Sequence, residues 1–325
     1  MPLAAFGSGR RCASFLHCVR VINPKQKETF MKFKPLFTLA LLLGAFGLSA
    51  HAEDTLKKVA ESGRFALAYR ESSVPFSYLV GAGKPVGFSM DVTTAIVQEV
   101  KRRTGHPILE VQYVPVTSQN RIPLLENGTV DLECGSTTNN IARGKEVAFA
   151  INYFYTGTRL LTKKSSHIHN YGDLAGKPVA TTTGTTNSQV LRKYDAKNSL
   201  NMQIMLGKDH ADSFLLVEED RAGAFAMDDI LLYGLIGTAK NPAEWEVVGD
   251  PLQVEPYACM LRKDDPKFKA LVDGVIASMM KSGEFARLYD KWFMQPIPPR
   301  NAALKLPMSP QLRANLTALS DKPAS

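Results

Sequence analysis

The chain has 325 residues, 45% hydrophobic and 22% charged, and its 39 Lys and Arg against 31 Asp and Glu give a formal charge of +8. That composition reads as a globular protein of mildly basic character. The basicity is local. Residues 1–52 hold seven Lys and Arg (Arg10, Arg11, Arg20, Lys25, Lys27, Lys32 and Lys34) and one acid, Glu28, so the remainder carries 32 bases against 30 acids, a net of +2, and gives no electrostatic reason to expect a nucleic-acid partner.

From Met31 the sequence reads MKFKPLFTLALLLGAFGLSAHA. Lys32 and Lys34 form a basic start, residues 36–48 an apolar stretch too short to span a bilayer comfortably, and Ala50-His51-Ala52 a small-x-small cleavage site. Residues 31–52 are therefore expected to be a signal peptide cut after Ala52, which places the mature protein in the periplasm. A membrane anchor is the alternative, but no second apolar segment follows, and no Cys at the cleavage site offers a lipid anchor. Residues 1–30 stand in front of this signal and read as a non-native extension from a start codon placed too early. Cys12 and Cys18 leave with the first 52 residues; Cys134 and Cys259 remain, and in an oxidising compartment they either pair or stay as two buried thiols.

The remaining 273 residues suit two domains of ordinary size. Residues 55–62 have apolar positions on one helical face and stop at Gly63. Residues 64–69 read as a strand, 89–103 as a helix stopped by Gly105, 111–114 as a strand, 119–127 as a short helix ending at Gly128, and 130–134 as a strand. A second run of the same kind follows: strand 178–182, a Gly/Thr turn and a helix, strand 203–206, helix 213–220, strand 222–227, helix 228–237 and strand 246–250. After an extended 257–263 come helices 267–283 and 284–293, then a Pro-rich tail expected to wrap the surface. Strands alternating with helices imply βαβ units and a largely parallel sheet in each of two α/β domains. The chain leaves the first near 155–159 and returns near 256–262. Two crossings make a hinge, with a ligand site between the lobes.

Seven ordered stretches carry a resemblance: RESSVPFSY (70–78), VTSQNRIPLLENGTVDLECGSTTNN (116–140), TGTRLLTKK (156–164), KDHADSF (208–214), MDDILL (227–232), EPYACMLRKDDPKFK (255–269) and DKWFMQPIPP (290–299). On these the chain resembles the periplasmic solute-binding proteins of polar amino-acid ABC transporters, within them the glutamate/aspartate branch. The resemblance implies a two-lobed type II periplasmic binding protein fold with a two-strand hinge. Lobe 1 would comprise 53–156 and 257–325, and lobe 2 157–256. It also places the strands bearing Cys134 and Cys259 in one lobe, which favours a disulfide between them. The implied partners are an acidic amino acid and the permease subunits of an importer; the protein itself is expected to be a monomer without cofactor or metal.

An acidic amino acid buried in a closed cleft brings two carboxylates and one ammonium, each needing a partner. Arginine suits the carboxylates because its planar fork binds them bidentately. Arg143, after GSTTNN, is expected at a strand end running into a helix start, where it and the hydroxyls of Ser136 and Thr138 would hold the α-carboxylate. Asp228, directly after a strand, would hold the ammonium, leaving Asp229 to cap the following helix. The TTTGTT turn (181–186) offers Thr183 and Thr186 to the ligand's main-chain groups; it lacks the Lys and spacing of a phosphate-binding loop. Relatives for neutral or basic amino acids carry an acid or amide at the position of Arg70 and rings near Ser73 and Ser118. Here Arg70, Ser118 and Arg121 form a twice-cationic pocket suited to a second carboxylate, with His210 adding a donor from the other lobe. Leaving a buried Arg unpaired costs roughly 3–5 kcal/mol, so glutamine should bind two to three decades more weakly than glutamate. The rival reading is an exported enzyme on the same fold, dehydratase-like, acting on a small carboxylic acid. Glu71 and His210 are its acid–base candidates, and no nucleophile–base pair stands beside them. His167-x-His169 has metal-like spacing without further ligands and reads as a solvated loop.

Overall fold

The computed structural model describes residues 54–324. The expected extension 1–30 and signal 31–52 lie outside the described residues. Two five-stranded sheets organise the rest. The first runs in the order Glu110–Pro115, Arg64–Tyr69, Leu132–Glu133, Met260–Arg262, Val147–Phe149; the second runs Gln203–Gly207, Pro178–Thr182, Ala224–Asp228, Thr158–Lys163, Trp245–Val248. In both, the first three strands are mutually parallel and the last two antiparallel to their neighbours. The expectation of largely parallel sheets is thus corrected to mixed ones. The physical reason lies in the crossings. Thr158–Lys163 enters the second sheet directly from the outgoing crossing, and Met260–Arg262 enters the first directly from the returning one. Neither is preceded by the helical crossover that a parallel connection requires.

The crossings themselves pair. Phe154–Thr156 and Glu255–Tyr257 run antiparallel, with Tyr155 opposite Pro256. On the first-lobe side Phe76 braces them edge-on, its ring centroid 5.0 Å from that of Phe154 and 5.3 Å from that of Tyr257. Edge-on aromatic contacts of this kind hold both strands against the first lobe.

Local chemistry sets the element ends. Asp54 accepts from Lys57 N at 3.0 Å to open the helix Thr55–Ser62, and Gly63 closes it in the left-handed conformation at φ 66°. Most expected elements lie where the sequence puts them, within a residue or two. Three do not. Arg143 starts only a three-residue 3-10 turn, Arg143–Lys145, because the main chain enters strand Val147–Phe149 at once. The expected last helix becomes a short α-helix Glu284–Tyr289 followed by a π-turn Asp290–Met294. The tail is not merely draped: Ser309 caps a helix Pro310–Ala318 that buries Leu312, with Pro310 at its first position, where a missing N–H is harmless. Cys134 and Cys259 form a disulfide, their Cα atoms 4.2 Å apart, beside the pairing of Glu133 with Met260. Among the described residues no helix is long and apolar enough to cross a membrane.

Candidate functional site

The parallel strands deliver the polar residues of interest at their C-terminal ends, where open α/β sheets place ligands. Arg70 follows Arg64–Tyr69, Ser118 and Arg121 follow Glu110–Pro115, and Ser136 and Thr138 follow Leu132–Glu133. In the facing lobe Thr183 and Thr186 follow Pro178–Thr182, His210 follows Gln203–Gly207, and Asp228 ends Ala224–Asp228. Seven of the ten expected residues line one interlobe cavity: Ser118, Arg121, Ser136, Thr138, Thr186, His210 and Asp228. Its volume is about 10 Å³, the room of a single water.

At one end stand two buried guanidiniums. Arg70 is fully buried; its Nη2 donates to the Asp209 carboxylate and lies 3.3 Å from His210 Nε2. Arg121, 2% exposed, donates from Nη1 to Ser136 O at 3.2 Å and Thr137 Oγ1 at 2.5 Å, with Glu133 Oε1 at 4.0 Å. Arg70 Nε and Nη1, Arg121 Nε and Ser118 Oγ are buried without a hydrogen-bond partner among the described residues. Groups of this kind are costly to bury unless something accepts from them.

The electrostatics are compensated rather than cationic. Asp209 answers Arg70 and accepts from Ser72 Oγ at 2.8 Å; burial would raise its carboxyl, but Arg70, His210 and Ser72 outweigh that and hold it at about 2. Burial, then the neighbouring charge of Arg70, pushes the His210 imidazole down to about 3, so it is neutral, with Nδ1 3.1 Å from Thr182 Oγ1. Burial, then the nearby Arg143 and more weakly Arg70, pushes Arg121 down to about 9. Arg121 is thus near enough to Arg143 and Arg70 for both charges to disfavour its own. The expectation of a twice-cationic pocket is corrected: each arginine of that pair already has an acid beside it.

At the other end Asp228 accepts from Asn187 Nδ2 at 2.8 Å and from Tyr257 OH. Burial, then the nearby Glu255, pushes its carboxyl well above the usual range. It does not cap the following helix; Asp229 accepts from Ile230 N at 2.7 Å. Arg143, half-buried, donates from Nη1 to Thr138 O at 3.0 Å and from Nη2 across the cleft to Gly184 O at 3.2 Å. Gly184, at φ 76°, lies where a Cβ would come 2.6 Å from Gln119 Cα, so only glycine lets the lobes meet there.

Two expectations fail in detail. The Thr183 hydroxyl donates to Gly207 O at 3.0 Å and lies outside the cavity wall, because its turn folds back onto the neighbouring strand. The Thr138 hydroxyl donates to Glu255 at 2.5 Å instead of facing a carboxylate, and the short 3-10 turn at Arg143 supplies no helix N-terminus. Sequence reasoning missed Glu133, Asp209 and Glu255. Their one signal is an acid set in an apolar strand or directly beside an expected site residue. A much larger groove, about 570 Å³, runs between helices Phe88–Thr104 and Pro266–Ser282, but its Arg102 pairs with Glu99 at 2.6 Å and it holds none of the orphaned donors.

The sequence profile of the bacterial extracellular solute-binding proteins, family 3, matches residues 65–295. The chain belongs to that family. It is 48% identical over 299 residues to the glutamate/aspartate import solute-binding protein of Salmonella typhimurium (strain LT2), covering 90% of this chain and 99% of that protein. The Escherichia coli (strain K12) protein of the same description is 49% identical over 291 residues, covering 87% and 96%. Among solved structures, the P235GK mutant of the Thermotoga maritima arginine-binding protein superposes with a TM-score of 0.66 at 25% identity, covering 74% of this chain and 99% of that one. The ancestral amino acid-binding protein AncCDT-1, a precursor of cyclohexadienyl dehydratase, does so with a TM-score of 0.64 at 27% identity and the same coverage. The family fold is the two-lobed, hinged one described above. Among the described residues no group of His, Cys, Asp and Glu is gathered as for a metal ion.

Proposed function

We propose that the chain is an exported solute-binding protein that captures L-glutamate or L-aspartate between its lobes and delivers it to the permease of an ABC importer. The observation that carries the choice of ligand is the group of partnerless buried atoms on Arg121 and Ser118, which line the cavity, and on Arg70, which stands behind the cavity-lining His210. They ask for a planar acceptor with several lone pairs, which a side-chain carboxylate supplies and an ammonium cannot. Asp228 receives the ammonium at the opposite end, and Arg143 the α-carboxylate. Ser136, Thr138, Thr186 and His210 line the space between them. The descriptions of the Salmonella and Escherichia relatives support the same ligand class and a transport role rather than catalysis. His210 is neutral and engaged on both ring nitrogens, so the dehydratase-like alternative lacks an acid at this position.

In this reading 53–156 with 257–325 and 157–256 move as two bodies about the paired crossings. The signal 31–52, cut after Ala52, delivers the protein to the periplasm as a monomer. Calorimetric titration of refolded protein with glutamate, aspartate, glutamine and arginine tests the proposal. Glutamate and aspartate should bind, glutamine about 100-fold more weakly, and arginine not at all. Equal binding of glutamine, or steady consumption of a bound acid followed by NMR, would overturn it.

A further inference from the structure

Glu255 is fully buried at the start of the hinge strand Glu255–Tyr257. Its Oε2 accepts from two hydroxyls at 2.5 Å, Thr138 Oγ1 from the first lobe and Thr186 Oγ1 from the second. Its Oε1 accepts from Gln253 Nε2. A carboxylate only accepts, and a threonine hydroxyl has one hydrogen to give. Both hydroxyl hydrogens therefore point at Glu255. The two hydroxyl oxygens lie 3.3 Å apart with no hydrogen left between them, and toward the cavity they both line each offers only lone pairs. Asp228 lines the same cavity.

We propose that Glu255 is a positioning residue: by taking both hydroxyl hydrogens it fixes Thr138 and Thr186 as acceptors, and together with Asp228, which a bound ammonium would hold as a carboxylate, they form the seat for the ligand's ammonium. The inference rests on capture of an amino acid in this cavity and deepens that reading. It moves the Thr138 hydroxyl from the carboxylate to the ammonium. Arg143, whose guanidinium donates to Thr138 O and Gly184 O on the same side, keeps the α-carboxylate. Because the two hydroxyls belong to different lobes and meet on a hinge-strand side chain, the seat is complete only when the lobes are together. Closure is thereby tied to the presence of an amino group, and the far end of the cavity is left to read the side chain.

Glutarate is glutamate without its ammonium, so the glutamate-to-glutarate affinity ratio reports the seat, and the glutamate-to-glutamine ratio reports the other end. Calorimetry on wild type, Glu255→Leu and Glu255→Gln separates the roles. Glu255→Leu should weaken glutamate about 10- to 100-fold while glutarate and the glutamate-to-glutamine ratio move less than about threefold. Glu255→Gln keeps an oxygen that accepts from both hydroxyls and should hold the glutamate-to-glutarate ratio within about threefold of wild type. A wild-type ratio in the Leu variant would overturn the proposal. So would equal loss in both variants, since Glu255 would then act through its charge and not through the hydroxyls. If the Leu variant does not fold, Thr138→Val/Thr186→Val must reproduce the fall in the glutamate-to-glutarate ratio, and an unchanged ratio there overturns the inference. Wild-type protein that fails to separate glutamate from glutamine would instead sink the proposed function itself.

Discussion

Arg121 and Glu133 lie together in the dry interior, with Thr137 donating to the acid at 2.6 Å and accepting from the arginine at 2.5 Å. Removing one partner of such a pair strands the other. Arg121→Met should therefore lower folding stability by about 3 kcal/mol as well as erase side-chain discrimination, and adding Glu133→Gln should restore most of the stability without restoring discrimination. Urea denaturation and titration read the two effects separately, and a single variant as stable as wild type would contradict the pairing. His210 gives a pH signature. Its imidazole is held down at about 3 in the fold against an ordinary 6.5, so between those values the unfolded chain binds a proton that the native protein does not. Stability from this residue is complete above pH 6.5 and is lost as the pH falls toward about 3. His210→Asn should flatten that fall in unfolding midpoint; an unchanged slope would mean His210 is not the responsible group. The arginines were legible in the sequence through their motifs. Their acid partners were not, because no local pattern says which acid will fold back against which guanidinium.

Helices and strands were legible from apolar spacing and from their Gly stops, whereas strand direction was not, since it depends on how the two crossings enter the sheets. The Pro310–Ala318 helix hid in a Pro-rich tail, although Ser309 followed by Pro310 is itself a start signal. Gly234 marks a contact between elements of different lobes. It sits inside helix Asp229–Thr238, and a Cβ there would come 2.2 Å from Val74 O in the first lobe. Its φ lies outside the left-handed region, so alanine would otherwise favour the helix by about 1 kcal/mol. Gly234→Ala should thus keep or raise the melting temperature of the protein without ligand while weakening glutamate at least about tenfold, because the lobes no longer meet. A lowered melting temperature with full affinity would show that the contact is not one of closure.

At the scale of the molecule, the Cys134–Cys259 disulfide spans 125 residues of sequence, a loop that contains the whole second sheet, and it joins the two chain segments that build the first. Cross-linking so long a loop restricts the unfolded chain, and reduction should lower stability by about 4 kcal/mol in denaturant titrations; a change below about 1 kcal/mol would mean the two segments hold together without it. The crossing strands pair, and the bonds Arg70–Asp209, Arg143–Gly184 and Thr138–Glu255–Thr186 join residues from the two sides of the cleft. The most direct test is a crystal structure of the protein grown with glutamate. The side-chain carboxylate should lie within hydrogen-bonding distance of Arg70 Nη1, Arg121 Nε and Ser118 Oγ, with the ammonium on Asp228. A carboxylate bound elsewhere, with those donors still lacking an acceptor, would contradict the account.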